Sequence, residues 1–261
     1  MRARTVVVVP GLASTPAEWE DVRARLPAGV AVHVVDPAAA VRLRARSDWG
    51  PAVVAARLHT ELRDAARPLL LVGHSHGALH VQAFAYAHPE QCAGAVLVDG
   101  SHERAVRLAP AGVSAVARRL AELLVATGLL AAAGPWSRRL GVRAMSFRGR
   151  ADSGDARLGA AYRTTAWART TVDAWFGHGP LQAGLSGPAG WQRRGAPGVP
   201  VRLVVGAAGR RRSSAAWVAT QHDLAGRLGA PAPLLLCDAG HLVALDRPDA
   251  IAAVITELLL A

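Results

Sequence analysis

The chain has 261 residues, 51% of them hydrophobic, which is enough to bury the core of a single domain and too apolar for a disordered polymer. Its formal net charge is +11, and every cationic side chain is arginine, because the sequence contains no lysine. With abundant alanine, glycine and proline this suggests a GC-rich coding bias. The arginines fall in short scattered groups (42–46, 138–143, 193–194, 210–212) with no DNA- or RNA-binding motif among them, so no nucleic-acid partner is expected.

Cys92 and Cys237 stand alone, without metal-ligand spacing, and read as free buried thiols of a reducing compartment. The four valines near the N-terminus are too few for a signal-peptide core and are cut off by Pro10-Gly11. No run of about 18 apolar residues occurs, so nothing is expected to span a membrane, no membrane partner is expected, and the cytoplasm is the expected location.

In chain order, Thr5–Val9 reads as a strand, and Pro16–Leu26 as a helix behind a Ser14-Thr15 cap signal. The strand Ala31–Val35, the helix Pro51–Ala66, the strand Leu69–Val72, the helix Ala78–Ala87 and the strand Ala95–Val98 follow. After Ser101 the rhythm stops for nearly a hundred residues. Val113–Leu130 and Gly159–Phe176 look helical, whereas Asp152–Asp155 and Gly177–Gly198 look like turns and loops. Strands return at Val201–Val205 and Pro233–Cys237, with helices at Ala215–Leu228 and Pro248–Leu260. Each apolar run lacks polar alternation and therefore reads as a strand buried on both faces. The expected fold is α/β: a mostly parallel six-stranded sheet, helices on both faces, and a helical insertion.

Gly73-His74-Ser75-His76-Gly77 lies between a strand and a helix and fits G-x-S-x-G, the context of a nucleophile elbow. There a tight turn projects the serine Oγ above the sheet, and the helix N-terminus behind it favours a developing oxyanion. A serine hydroxyl needs a base. His241, in the loop between the last strand and the last helix, is the candidate, because parallel strands bring such loops to the same sheet edge. His74 and His76 read as elbow residues. His80, His88, His102, His178 and His222 read as surface or helix histidines.

The order of elements, the elbow and the late Gly240-His241 resemble the α/β-hydrolase superfamily over nearly the whole chain, most strongly at 5–12, 69–100 and 200–250. The stretch TVVVVPGLASTPAEW resembles its first catalytic loop, with Pro10 where a histidine is usual. The resemblance implies that the backbone N–H groups of Leu12 and His76 form an oxyanion hole, and that the family's first two strands are missing. In many relatives the triad acid follows the next-to-last strand, but here that loop, GAAGRRRSSAAW, holds no acid. The known alternative in the superfamily is the preceding strand end, which implies Asp99, with Asp223 and Asp246 as rivals.

The insertion resembles the family's cap. The implied division is a core of 1–101 and 199–261 and a cap of 102–198. Trp136, Trp167, Trp175 and Trp191 fall in the cap, with Phe147, Tyr162 and Phe176. They serve either a small cap core or an apolar substrate pocket, for which Trp136, Trp167 and Trp175 are the named candidates. The function expected is a serine hydrolase acting on a carboxylic ester, thioester or lactone with an apolar acyl part, without metal or organic cofactor. Two alternatives stay open. One is a thioesterase or cyclase acting on a carrier-bound acyl chain, met by Arg138, Arg139 and Arg143. The other is a non-catalytic ligand receptor.

Overall fold

A computed structural model describes residues 5–37, 46–102, 111–148, 156–186, 196–208 and 212–261, together with Ala3. Trp191, the turn expected at Asp152–Asp155, and arginines 42, 44, 193, 194, 210 and 211 lie outside these residues. The strands are β1 (Thr5–Val9), β2 (Ala31–Val34), β3 (Leu69–His74), β4 (Cys92–Val98), β5 (Val201–Gly206) and β6 (Leu234–Leu236). They form a six-stranded sheet in the order β2-β1-β3-β4-β5-β6, and every pairing is parallel.

The unbroken apolar runs follow from a sheet covered on both sides. Val6 and Val8 of β1 join Trp19 and Val22 on one face, while Val7 and Val9 join Leu58, Leu79 and Phe84 on the other. Leu70 and Val72 repeat this division against Leu69 and Leu71, as do Val96 and Val98 against Ala95 and Leu97. Helices α2 (Pro51–Glu61) and α3 (His76–Ala87) carry the second face, and α1 (Glu20–Arg23), behind a 3-10 turn at Pro16–Trp19, lies on the first.

The two edge strands correct the expectation of burial on both faces. Ala31 and His33 of β2 are exposed, as are Leu234 and Leu235 of β6, because each strand has a neighbour on one side only. The cap signal is also corrected. Neither Ser14 nor Thr15 bonds the helix backbone through its side chain; Ser14 Oγ instead donates to Glu18 Oε2 at 2.6 Å. Cys92 is buried as expected, but Cys237 is exposed, since it follows an edge strand.

Between β4 and β5 come α4 (Ala111–Ala126), α5 (Leu129–Met145), α6 (Ala156–Ala161) and α7 (Thr165–Ser186). Val125, Ala131, Tyr162, Trp167, Ala168 and Val172 form a small apolar cluster of their own. Further along α7, Leu181 and Leu185 join the main core with β3 and α3, so this helix is shared by insertion and core.

Two readings are overturned here. Helix α5, with Gly134 and Pro135 inside it, was not expected. Gly177–Ser186 is the second half of α7 rather than a loop. The glycines responsible serve close approach, not turning. A Cβ on Gly177 would lie 1.9 Å from the Trp49 ring, and one on Gly184 would lie 2.6 Å from the Pro51 ring. After β5 the chain closes with α8 (Arg212–Arg227), α9 (Val243–Asp246) and α10 (Pro248–Leu260).

Gly177→Ala should therefore push α7 off Trp49. Overpacking of this kind costs about 2 kcal/mol, roughly 6 °C in melting temperature for a chain of this size. Thermal denaturation checks it, and an unchanged midpoint would mean that α7 does not depend on this seat.

Candidate active site

Strand order reverses between β1 and β3, the point in an open parallel sheet where the loops at the carboxyl ends part and leave a crevice. Ser75 sits there. Its backbone has φ 49° and ψ −120°, and α3 begins at the next residue. Its N–H donates to Val98 O at 3.1 Å, and its carbonyl accepts from Ala78 N and Ser101 N. The flanking glycines are required by contact. A Cβ on Gly77 would lie 2.1 Å from Val9 O, and one on Gly73 would lie 2.7 Å from Ala78 Cα.

Ser75 Oγ lies 3.0 Å from His241 Nε2, and His241 Nδ1 lies 2.5 Å from Asp99 Oδ2. Since the carboxylate only accepts, Nδ1 carries the imidazole proton and Nε2 is left to accept from the serine hydroxyl. Asp99 is buried, and its second oxygen is held by Gly206 N–H at 3.1 Å and by Trp217 Nε1–H at 2.9 Å. The acid-free loop after β5 thus faces a carboxylate lent by its neighbour. Trp217 escaped sequence reading, because nothing in a helical tryptophan marks it as a partner of a distant aspartate.

The rival acids are engaged elsewhere. Asp223 pairs with His102 and Arg227. Asp246 is fully buried beneath the His241 loop, where it accepts from Gly240 N–H at 2.9 Å, Phe147 N–H at 2.8 Å, Arg148 N–H at 3.2 Å and Ser146 Oγ at 2.5 Å. It thereby ties the histidine loop to the end of α5. His74, on the last residue of β3, donates from Nε2 to the His241 carbonyl at 2.9 Å.

A second histidine line lies behind the elbow. Arg57 Nη2 donates to His80 Nδ1 at 3.1 Å, His80 Nε2 meets His76 Nε2 at 3.1 Å, and His76 Nδ1 meets His178 Nδ1 at 3.1 Å. Arginine cannot accept, so the direction of every bond is set: His80 donates to His76, and His76 donates to His178. His80 is a helix histidine as expected, buried on α3, whereas His102 is buried and lies outside any helix, which corrects its reading as a surface or helix histidine. Burial holds His74 down at about 4, with the His241 charge adding to the effect, and holds His76 down at about 3, with His178 and Arg57 adding to it. His80 is lowered well below its ordinary value for the same reason.

A cleft of about 1310 Å³ opens over Ser75 and His241. Leu12 and His76 line it, as do Trp167 and Trp175. Trp167 is buried in the insertion's own cluster and donates from Nε1 to Ala13 O at 3.0 Å, whereas Trp175 is exposed at the mouth. Trp136 is not among the lining residues. It sits two residues from buried Gly134 and two from buried Arg138, on the opposite side of α5, and faces solvent. Arg138 is buried against Glu18, which also accepts from Tyr162 OH at 2.8 Å. Among the described residues, no group of three or more His, Cys, Asp or Glu side chains is arranged to hold a metal ion.

Comparison with known proteins gives three findings. The family described as "Alpha/beta hydrolase family" matches residues 6–254. No curated protein matches. Solved structures with the same fold include ALR0039 from Nostoc sp PCC 7120, 15% identical, covering 98% of this chain and 90% of that one at a TM-score of 0.71. A thermophilic esterase from Thermogutta terrifontis is 18% identical, covering 99% and 90% at 0.61. The thioesterase domain from the curacin biosynthetic pathway is 16% identical, covering 97% and 91% at 0.60.

Two outcomes are expected from this geometry. Trp217→Phe keeps the ring and removes one bond to Asp99, so turnover should fall about tenfold with little change in melting temperature. Folded His74, His76 and His80 stay neutral well below pH 6.5, where their unfolded counterparts take up protons. Stability should be full above that pH and fall beneath it by about 1.4 kcal/mol per pH unit for each ring. Urea midpoints at pH 7 and pH 5 measure this; equal midpoints would contradict it.

Proposed function

Because the chain is an enzyme of the alpha/beta hydrolase family, we propose that it is a serine hydrolase that cleaves a carboxylic ester, thioester or lactone with an apolar acyl part. The observation that carries this reading is the hydrogen-bonded line Ser75–His241–Asp99 at the carboxyl ends of β3, β6 and β4. Ser75 Oγ attacks the acyl carbonyl while its proton passes to His241 Nε2. Asp99 steadies the imidazolium through Nδ1–H. The negative charge that forms on the carbonyl oxygen meets the N–H groups of Leu12 and His76, the latter the first residue of α3 and without an intrahelical acceptor.

The carbon–leaving-group bond then breaks, and the leaving group takes the proton from His241. Water repeats the sequence on the acyl-serine and releases the acid. The Ser75 proton leaves with the leaving group, and the attacking water supplies the proton that His241 returns to Ser75. An apolar acyl part is supported by the cleft, where Leu130, Val142, Met145, Trp167 and Phe176 stand around the serine.

A carrier-bound acyl chain is a second reading, favoured by exposed Arg139 and Arg143 on α5. Arg138 stands inside the cleft, where it pairs with Glu18, rather than on the outer face with the other two. Esters and thioesters of graded chain length, compared with the same acyl group on a carrier, separate the two readings. A receptor without catalysis would bind ligand and leave Ser75 unlabelled by a fluorophosphonate.

Ser75→Ala and His241→Ala should each lower kcat a thousandfold or more, in rough analogy with other triads, and their effects should not add. Asp99→Asn, which favours the wrong imidazole tautomer, should cost about 10⁴-fold. Ester turnover by the purified variants measures this, and Ser75→Ala retaining more than about a tenth of the activity would remove Ser75 from the role of nucleophile.

A further inference from the structure

A helix on a protein surface normally turns its apolar stripe to the core. Helix α4 does the reverse. Among its side chains Val125 is buried, and Ser114, Arg118 and Ala121 are half-buried on the same side. Val113, Val116, Leu120 and Leu123, spaced three and four apart, are 61%, 60%, 59% and 59% exposed and form one stripe facing away from the protein. The stripe runs into the cleft, because Val113 lines it too. Met145 and Trp175 are likewise both cleft-lining and exposed. Single exposed aliphatic residues need no explanation, but a continuous row ending at the mouth of a cleft does.

The exposed charges of α4 and of α5, which packs against it, are one-sided. Arg119 on α4 and Arg139 and Arg143 on α5 are exposed. The two helices hold a single acid, Glu122, which is paired with Arg118. A second copy docked symmetrically through this face would bring two positively charged faces together. An anionic lipid surface satisfies both the apolar row and the positive charge, which is the composition of a helix that lies in a membrane interface. We propose that α4 and α5 dock the protein on anionic bilayers, with the mouth of the cleft turned toward the lipid. No described helix is long and apolar enough to cross a membrane, and lying on one requires no such span. The expectation of no membrane partner rested on spanning segments alone. This inference concerns binding and is independent of the chemistry assigned to Ser75.

The test is co-sedimentation of the full chain with vesicles of phosphatidylcholine and phosphatidylglycerol at 3:1, against pure phosphatidylcholine. Binding to the anionic vesicles should be at least about tenfold tighter and should weaken with added salt. Arg139→Gln and Arg143→Gln should each weaken it about fivefold. The double variant Leu120→Asp, Leu123→Asp should stop sedimenting while keeping its melting temperature. The proposal is overturned by equal affinity for both vesicles, by no sedimentation at low salt, or by wild-type behaviour of the leucine variant. It is also overturned if the wild type is a dimer that this variant converts to monomer, which would assign the face to a second copy.

Discussion

Ala13, Ser75 and Asp99 have φ of 61°, 49° and 43°, a region that an L-residue enters at a cost of about 1–3 kcal/mol. They follow β1, β3 and β4 at the same end of the sheet. At Ser75 and Asp99 the chain leaves a buried strand and must turn at once, and Ala13 lies in the loop that follows β1. What makes the turns tolerable is the rigid parallel frame beneath them: Ser75 N–H is anchored on β4, and Asp99 N–H is anchored on β5 at 2.7 Å. Ser75 and Asp99 thus each hang from the neighbouring strand. Shift the register of β4 against β3 and the serine and the aspartate lose their footing together.

Above this frame the site is held by carboxylates in two different ways. Asp99 faces the imidazole and is fixed from behind by a backbone N–H and an indole. Asp246 never meets the ring, but collects four donors from the histidine loop and from the segment after α5. A buried carboxylate that accepts this many bonds is costly to disturb. The loop that carries His241 is accordingly fastened to the insertion as well as to the sheet, and the roof and floor of the cleft share a hinge pin.

Much of this was legible in the sequence. Five of the six strands differ from the expected spans by a few residues at most at either end, because an apolar run between turn residues has few other uses in a sheet covered on both sides. Ser75 and His241 could be named from local context, whereas Asp99 needed the family pattern. The insertion was harder. Gly134, Pro135, Gly177 and Pro180 are breakers by propensity, and their neighbours override that: Gly134 lies against the backbone of Tyr162, as Gly177 lies against Trp49. Tertiary contact of this kind leaves no periodic trace. For the same reason Trp136 could not be told from Trp167 by type, since only the packing of α5 decides which ring faces water.

The line Arg57–His80–His76–His178 has a further consequence. His74 and His76 flank Ser75 in the chain and His241 meets its hydroxyl, and as free side chains these imidazoles are chemically identical. Arg57 repels a proton from one end of that line, burial penalises it at His80 and His76, and His74 is spent on a carbonyl. His241 is the ring whose Nδ1 meets the Asp99 carboxylate. Wiring and burial thus set apart imidazoles that are equivalent as free side chains: His74 and His76 are held neutral, while His241 is aligned between a serine hydroxyl and a carboxylate.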